Sequence, residues 1–322
     1  AEVRVRWDRP RAPPSAPTLA CVHSLAVHSA ILIAVHHGSS HAPNAEHPMA
    51  DLYVEPSSSA SQGNGLWWKE LNRYHWFVLI VAALGWLFDC LDQQLFLLAR
   101  APAMADLLKP GQDPNEYGGY ATAIFVLGWA TGGLIFGSLG DRIGRAKTMV
   151  ITILIYSACT GLSAFSQGFA DFAFYRFLTG LGVGGEFAVG VALVAEVMPD
   201  RARPHALGLL QALSAVGNVA AALIEMSLST IERSGGLEGS LDKWRLMFLV
   251  GSLPALLALL VRWKLKEPER WQKMKSASKG SSRPIGSYAA LLSNPRWRKN
   301  ALIGLVMACT GVIALWGIVF FV

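Results

Sequence analysis

The stretch HWFVLIVAALGWLFDCLDQQLFLLA, residues 75–99, decides the fold because it is long and almost uncharged. A helix needs about 20 apolar residues to cross the roughly 30 Å hydrocarbon core of a bilayer. The stretch exceeds that length, and its only acids are Asp89 and Asp92. We therefore predict a transmembrane helix whose two carboxyl groups are there for a functional reason, since charge is costly at this depth.

Six further stretches have the same apolar character. They are Tyr120–Leu139, Thr148–Phe165, Phe172–Val197, Ala206–Ile231, Trp244–Val261 and Ala301–Val322. None alternates apolar and polar residues with the period of two that is typical of barrel strands. Hydrophobic residues make up 52% of the chain and charged residues 16%. The sequence thus predicts an all-α integral membrane protein, with a six-helix bundle followed by a seventh transmembrane helix.

The predicted domain organisation has four parts. Residues 1–74 form a cytoplasmic leader, 75–261 the six-helix bundle, 262–300 a basic cytoplasmic loop, and 301–322 the start of a truncated second half. Within the leader, residues 1–48 hold six of the eight histidines without a metal-ligand spacing. They are interpreted as disordered or mistranslated upstream sequence in preference to a metal-binding tail. No metal site or cofactor is predicted.

The charges of the loops alternate along the chain. The loops after the second, fourth and sixth stretches are basic, and the segment from Arg262 to Lys299 holds eleven lysines or arginines and two acids. By the positive-inside rule, the amino terminus is expected in the cytoplasm and the chain in the inner (cell) membrane as a multi-pass protein. The formal net charge of +6 comes from these loops and the leader. It is not gathered on one folded face, so no nucleic-acid partner is predicted.

Four motifs between the predicted helices resemble those of the major facilitator superfamily. They are GSLGDRIGR (137–145), RFLTGLGVGGE (176–186), AEVMPDRARPHALG (195–208) and KEPERW (266–271). Within that superfamily, GWLFDCLDQQLF (85–96) together with GVGGE is most similar to the carboxylate:proton symporters of the lactate and sialate type. The resemblance implies that the loop after the second helix is a cytoplasmic latch that controls conformational change. The latch residues are Gly137, Asp141, Arg142, Gly144 and Arg145.

The resemblance also implies a missing partner. The sequence ends with its seventh stretch, whereas the family has two six-helix halves, so we expect a C-terminal six-helix half outside this sequence. Glycines spaced about four residues apart predict close helix contacts. They are Gly128, Gly132 or Gly133, and Gly137 in the second helix, and Gly180 and Gly184 in the fourth.

Arg176 is the predicted partner of the two acids in the first helix. Asp89 and Asp92 are three residues apart and share a face. Helical rise places Arg176 roughly 8 Å from the outer boundary, with Asp92 about 5 Å and Asp89 about 9 Å from it. One arginine cannot neutralise both acids. The alternatives are a static buried ion pair, or a surplus acid that binds the coupling proton.

Four other polar residues are candidates for the same site. The same arithmetic places Glu186 about 22 Å from the outer boundary, well below Asp89. It is either a second proton-coupling site or the partner of a missing helix. Gln93 is assigned to the substrate and ion-pair site beside Arg176. Gln211 and Asn218, seven residues apart, either line the cavity or hydrogen-bond between helices.

A secondary active transporter is the leading functional interpretation. Proton-coupled symport of a small organic anion, such as a monocarboxylate or sugar acid, fits the paired acids, and the partners are then the substrate, protons and the lipid bilayer. The alternatives are a sugar or other metabolite porter of the same superfamily, and a truncated membrane module that does not transport. An enzyme is not predicted, because an intramembrane aspartyl protease needs its two acids on facing helices, and Asp89 and Asp92 share one.

Overall fold

The structure, a computed structural model, describes residues 66–235, 242–254, 267, 269–278 and 286–321. The described part is helical, and no strand occurs in it. A 3₁₀ turn, Trp67–Glu70, precedes nine helices in these ranges. They are α1 (Arg73–Leu107), α2 (Pro114–Ile143), α3 (Arg145–Ser163), α4 (Phe169–Val197), α5 (Arg203–Arg233), α6 (Lys243–Gly251), α7 (Glu269–Ser278), α8 (Tyr288–Ser293) and α9 (Pro295–Phe321).

Helices α1 to α5 are each long and apolar enough to cross a membrane. The all-α membrane architecture predicted from the sequence is therefore confirmed. Helix α6 covers the start of the sixth predicted span, and residues 255–261 lie outside the described residues. Helix α9 covers most of the seventh predicted span and forms a separate compact unit, so its crossing of the membrane stays a prediction. The leader up to residue 65, including the interpretation of residues 1–48, also lies outside the described residues.

Local sequence sets the beginnings of the long helices. The Asn72 side chain accepts a hydrogen bond from the His75 backbone N–H at 2.9 Å, and His75 Nδ1 accepts one from the Asn72 N–H at 3.2 Å. This reciprocal cap satisfies two donors that a helix end leaves unpaired. At α2, Asp113 accepts from the Asn115 N–H and Pro114 occupies the first turn, where its missing N–H costs nothing.

The second helix is longer than the sequence analysis predicted. It begins at Pro114 and runs to Ile143, so Gly137, Asp141 and Arg142 are helical and do not form a loop. Only Gly144 separates α2 from α3, with a φ of +118°. Positive φ is accessible to glycine at little cost, which lets a single residue turn the chain between two helices. The predicted latch loop is thus a tight joint between helix ends.

Glycines bring α2 and α4 into backbone contact. A Cβ built on Gly128 would lie 2.2 Å from the Phe177 carbonyl oxygen, and one on Gly132 would lie 2.0 Å from the Leu181 carbonyl oxygen. Gly180 and Gly184 on α4 meet the backbone of α2 in the same way. The predicted close contact is therefore present at these four residues. Gly137 lies outside it, because its nearest neighbour would be a side-chain carbon 3.9 Å away.

The apolar core is divided into two clusters along the bundle axis. One contains the first half of α1, with Val78 to Trp86, against α3 and α4. The other contains Leu91 to Leu107 of α1 against Phe172 and the start of α6. Asp89 lies between these two parts of α1, and Asp92 follows Leu91, where the second cluster begins. The fold therefore places the acids where the two apolar clusters meet.

Candidate functional site

Asp92 and Arg176 form a fully buried ion pair between α1 and α4. Asp92 Oδ2 accepts hydrogen bonds from Arg176 Nη1 at 3.4 Å and Nη2 at 3.3 Å. Thr160 Oγ1 on α3 donates to Asp92 Oδ1 at 2.9 Å. Both charged residues have 0% exposure. The contact that the sequence predicted between the first and fourth helices is thus present, and Asp92 is the acid that makes it.

Aromatic rings surround the Arg176 guanidinium. Its Cζ lies 4.3 Å from the ring centroid of Phe96, 4.7 Å from that of Phe125 and 5.6 Å from that of Phe248. A cation over the face of an aromatic ring is attracted by the ring's quadrupole, most strongly where water is excluded. The three rings come from α1, α2 and α6, so one arginine links five helices when Asp92 and Thr160 are included. The positive charge of Arg176 is therefore held by Asp92 and enclosed by aromatic rings.

Asp89 and Glu186 form a second acidic group beside this pair. Asp89 has 0% exposure and Glu186 has 1%. The Glu186 carboxyl group covers Gly85, because a Cβ built there would lie 2.1 Å from Glu186 Oε1. Gly85 is one helical turn before Asp89, so the buried carboxyl group of Glu186 lies beside the turn of α1 that contains Asp89. The sequence analysis placed Glu186 below Asp89, and its contact at Gly85 lies on the side of Asp89 nearer the amino terminus of α1.

Three of the four carboxyl oxygens in this acidic group have no hydrogen-bond donor among the described residues. Both carboxyl oxygens of Asp89 and Oε1 of Glu186 are buried without a hydrogen-bond partner. The Tyr156 hydroxyl on α3 is also buried and has no partner there. Buried polar atoms are normally hydrogen-bonded. The concentration of orphaned oxygens around Asp89 therefore marks a functional site.

The three predicted amide side chains are half-buried. Gln93 directly follows Asp92, and its Nε2 has no partner among the described residues. Gln211 and Asn218 lie on α5. Gly217, next to Asn218, touches α1 so closely that its Cβ would lie 2.3 Å from the Leu87 carbonyl oxygen. This places Asn218 beside the α1–α5 contact, and a role for the three amides in substrate binding stays a prediction.

Two of the predicted latch residues, Asp141 and Arg145, belong to an ion network at the joint between α2 and α3. Arg145 pairs with Asp141 at 2.5 Å and with Glu196 on α4 at 2.9 Å. Glu267 Oε2 accepts from the Ala146 N–H and its Oε1 from the Lys147 N–H, both at 3.2 Å. The carboxylate thus caps the first turn of α3, where the helix dipole favours a negative charge.

The segment after the sixth span packs on the same joint. The Trp271 indole N–H donates to the Asp141 carbonyl oxygen at 2.8 Å, and Ser138 Oγ donates to the Gly286 carbonyl oxygen at 2.6 Å. The Tyr288 hydroxyl donates to the Leu134 carbonyl oxygen. Partial burial raises the pKa of Tyr288 above its ordinary value, and the Asp141 charge adds to the shift. The described residues Glu267, Trp271, Gly286 and Tyr288 thus each bond to α2 or α3.

Replacing Glu267 with alanine is expected to lower the free energy of unfolding by about 1 kcal/mol, as the loss of a helix cap usually does. The first-turn N–H groups of Ala146 and Lys147 lose their acceptor. Glu267→Gln retains the oxygen acceptor without the charge and is expected to cost less. Thermal unfolding in detergent measures both. Lys273→Ala, at an exposed position of the same segment, is the control, and equal effects of the Glu267 and Lys273 changes would contradict the capping role.

Several site residues were missed by the sequence analysis. Thr160 and the three phenylalanines around Arg176 give no signal in a sequence, because hydroxyl and aromatic residues are common in membrane helices. Glu196 and Glu267 lie in the motifs 195–208 and 266–271 that carry the family resemblance. The sequence analysis assigned neither of them a role. In the described part of the chain, no three His, Cys, Asp or Glu side chains are grouped as metal ligands would be.

The family model of the Major Facilitator Superfamily matches residues 74–322. The chain belongs to this superfamily. A putative metabolite transport protein of Haemophilus influenzae is 34% identical over 254 residues, covering 78% of this chain and 59% of that protein. The niacin transporter NiaP of Acinetobacter baylyi is 33% identical over 197 residues, covering 61% of this chain and 42% of that protein. The chain spans about half the length of the curated relatives it matches.

A solved structure supports the superfamily fold. The xylose transporter XylE from E. coli, in a partially occluded inward open conformation, matches with a TM-score of 0.55 and 22% identity. The match covers 65% of this chain and 52% of XylE. At this identity the likeness establishes the fold. The superfamily assignment made from the four motifs is confirmed by the family model, and the narrower subtype is taken up below.

Proposed function

We propose that this chain is the first half of a proton-coupled symporter for a small organic anion, such as a monocarboxylate or sugar acid. The observation that carries the proposal is a charge imbalance. Asp89, Asp92 and Glu186 are fully buried between the helices, and Arg176 is the one buried cation beside them in the described residues. Structural burial alone would favour matched charges or none, since unpaired buried charge is costly.

The surplus acids supply the proton-coupling part of the mechanism. Arg176 pairs with Asp92, and the remaining carboxyl groups take up a proton from the outside. The local negative charge then falls, so an anionic substrate can approach the guanidinium. Arg176 is enclosed in the present conformation, with 0% exposure. Access therefore requires the helices around it to move, and Gln93, Gln211 and Asn218 are the proposed polar contacts for the rest of the substrate.

The relatives support a small organic substrate. Niacin, the substrate named for the Acinetobacter protein, is an aromatic carboxylate, and the Haemophilus protein is described as a putative metabolite transporter. Alternating access in this class needs two halves that move about a shared site. We propose that the second six-helix half completes the site, and that residues 1–322 alone catalyse no saturable uptake as a monomer. From the basic loops we infer a cytoplasmic amino terminus and a location in the inner membrane.

Uptake by the complete protein in liposomes tests the proposal. With an inward proton gradient, the wild type is expected to accumulate labelled monocarboxylates or sugar acids above equilibrium, and a protonophore is expected to abolish the accumulation. The double variant Asp89→Asn, Asp92→Asn is expected to lose uphill accumulation because it removes two of the three buried acids.

The control is Asp200→Asn, an acid with 76% side-chain exposure in a surface pair. It is expected to transport like the wild type. Undiminished pH-dependent accumulation by the double variant would refute proton coupling at this site. Accumulation of neutral sugars in preference to anions would favour the sugar-porter alternative.

A further inference from the structure

The acidic group of Asp89 and Glu186 is separate from the ion pair of Asp92 and Arg176. Asp92 uses both of its oxygens, one for Thr160 and one for Arg176. Glu186 comes from α4 ten residues after Arg176, which is about 15 Å along the helix. It meets α1 at Gly85, before Asp89. The two groups therefore lie at different levels of the α1–α4 contact, and only one of them contains a cation.

In the described part of the chain, neither Asp89 nor Glu186 pairs with a cation, because the buried Arg176 bonds to Asp92. The titratable groups facing the pair are Tyr156 on α3, and Cys90 and Asp92 on α1. These groups are neutral or negative, and the guanidinium of Arg176 is already paired. Two ionised carboxylates buried within one helical turn of each other, with three of their four oxygens unbonded, would be strongly unfavourable. A single proton between them removes one charge and supplies the missing hydrogen bond.

We propose that Asp89 and Glu186 share one proton and constitute a proton-binding site that bridges α1 and α4. The absence of a side chain at Gly85 makes the bridge possible, because a Cβ there would occupy the position of Glu186 Oε1. In this arrangement one carboxyl group donates to the other across the helix interface. Loss of the proton leaves two carboxylates that repel each other and weakens the α1–α4 contact at this turn. The use of this proton for transport rests on the proposed function, whereas the shared proton itself does not.

Infrared difference spectroscopy of the purified 322-residue chain tests the shared proton without transport. The wild type at neutral pH is expected to show the carbonyl stretching band of a protonated carboxyl group, shifted in D₂O and lost at high pH. The double variant Asp89→Asn, Glu186→Gln is expected to lack this band. Each single variant is expected to shift or remove it, because each replaces the hydrogen-bond partner of the remaining acid.

Two matched controls separate this pair from other acids. Asp92→Asn alters the neighbouring buried acid, and Glu225→Gln alters a half-buried acid on α5 that is bound to Ser229 and Lys243. Both are expected to keep the band. If the double variant does not fold, as judged by circular dichroism, Asp89→Glu and Glu186→Asp keep both acids and are expected to shift the band.

Three results would overturn the proposal: no protonated-carboxyl band at neutral pH, a band that survives the double variant, or a band that one of the two single substitutions leaves unchanged. The last would assign the proton to a lone acid. The infrared band could behave as expected while the complete protein fails to transport any anion together with protons. That combination would support the shared proton and refute the proposed function.

Discussion

Arg176→Ala is expected to lower the free energy of unfolding by about 3–5 kcal/mol, the usual cost of removing one partner from a buried ion pair. The change leaves the Asp92 carboxylate without its cation in a site with 0% exposure. It also removes the group on which Phe96, Phe125 and Phe248 pack. Thermal or denaturant unfolding of the chain in detergent measures the effect, and the complete protein is expected to lose anion uptake.

Arg201→Ala is the matched control for this change. Arg201 pairs with Glu70 at 3.1 Å, a distance close to the 3.3 Å of Arg176 and Asp92, but its side chain is 46% exposed. An exposed pair contributes about 0–1 kcal/mol, because water screens it and the side chains lose freedom on forming it. Similar destabilisation by the two alanine variants would contradict the role assigned to burial. Arg176→Lys is expected to be intermediate, since it retains a charge without the planar group that stacks on the rings.

Gly132→Ala and Gly184→Ala are each expected to cost about 1–3 kcal/mol, the range for overpacking a well-packed interior. In both variants the new methyl group would lie 2.0 Å from a backbone carbonyl oxygen of the facing helix, so α2 and α4 must move apart. A backbone atom cannot turn away as a side chain can. Because Arg176 lies on α4 and Phe125 on α2, we also expect weaker packing around the arginine.

Gly119→Ala on α2, the helix that also contains Gly132, provides the comparison. A Cβ there would have nothing within 4 Å. Alanine favours a helix interior over glycine by up to about 1 kcal/mol, so this variant is expected to be neutral or more stable. Unfolding midpoints of the three variants under one set of conditions measure the difference. Equal stability for all three would exclude a close α2–α4 contact as the cause.

Helical rise predicted part of the site geometry. Arg176 and Asp92 were placed at nearly the same level, and their ion pair is present. Glu186 was placed well below Asp89, and its carboxyl group lies against Gly85, one helical turn before Asp89. Counting residues gives the height of a Cα in an upright helix, but α1 is 35 residues long and the side chain of Glu186 extends over Gly85. Tilt and side-chain reach were not available from the sequence.

The rest of the site depends on contacts between distant segments. The length of the apolar stretches predicted the membrane helices. The spacing of Gly128, Gly132, Gly180 and Gly184 predicted close helix contacts on α2 and α4. The aromatic enclosure of Arg176 was not predictable, because Phe96, Phe125 and Phe248 have no distinguishing pattern in helices that are apolar throughout. The Glu267 cap joins residues more than a hundred positions apart. The motif that contains Glu267 marked it as a family residue, but it did not indicate that Glu267 binds the start of α3.

Because a single residue separates α2 from α3, no flexible loop connects the two helices. The Gly144 N–H donates to the Gly140 carbonyl oxygen at 3.1 Å, and its own carbonyl accepts from the Thr148 N–H at 3.2 Å, so both helices are hydrogen-bonded up to the residue that joins them. A movement of α2 at this joint is therefore expected to move the start of α3. Glu267 and Trp271, which bond to α3 and α2 there, are expected to move with it. The joint thus couples movement of the membrane helices to movement of the chain that follows them.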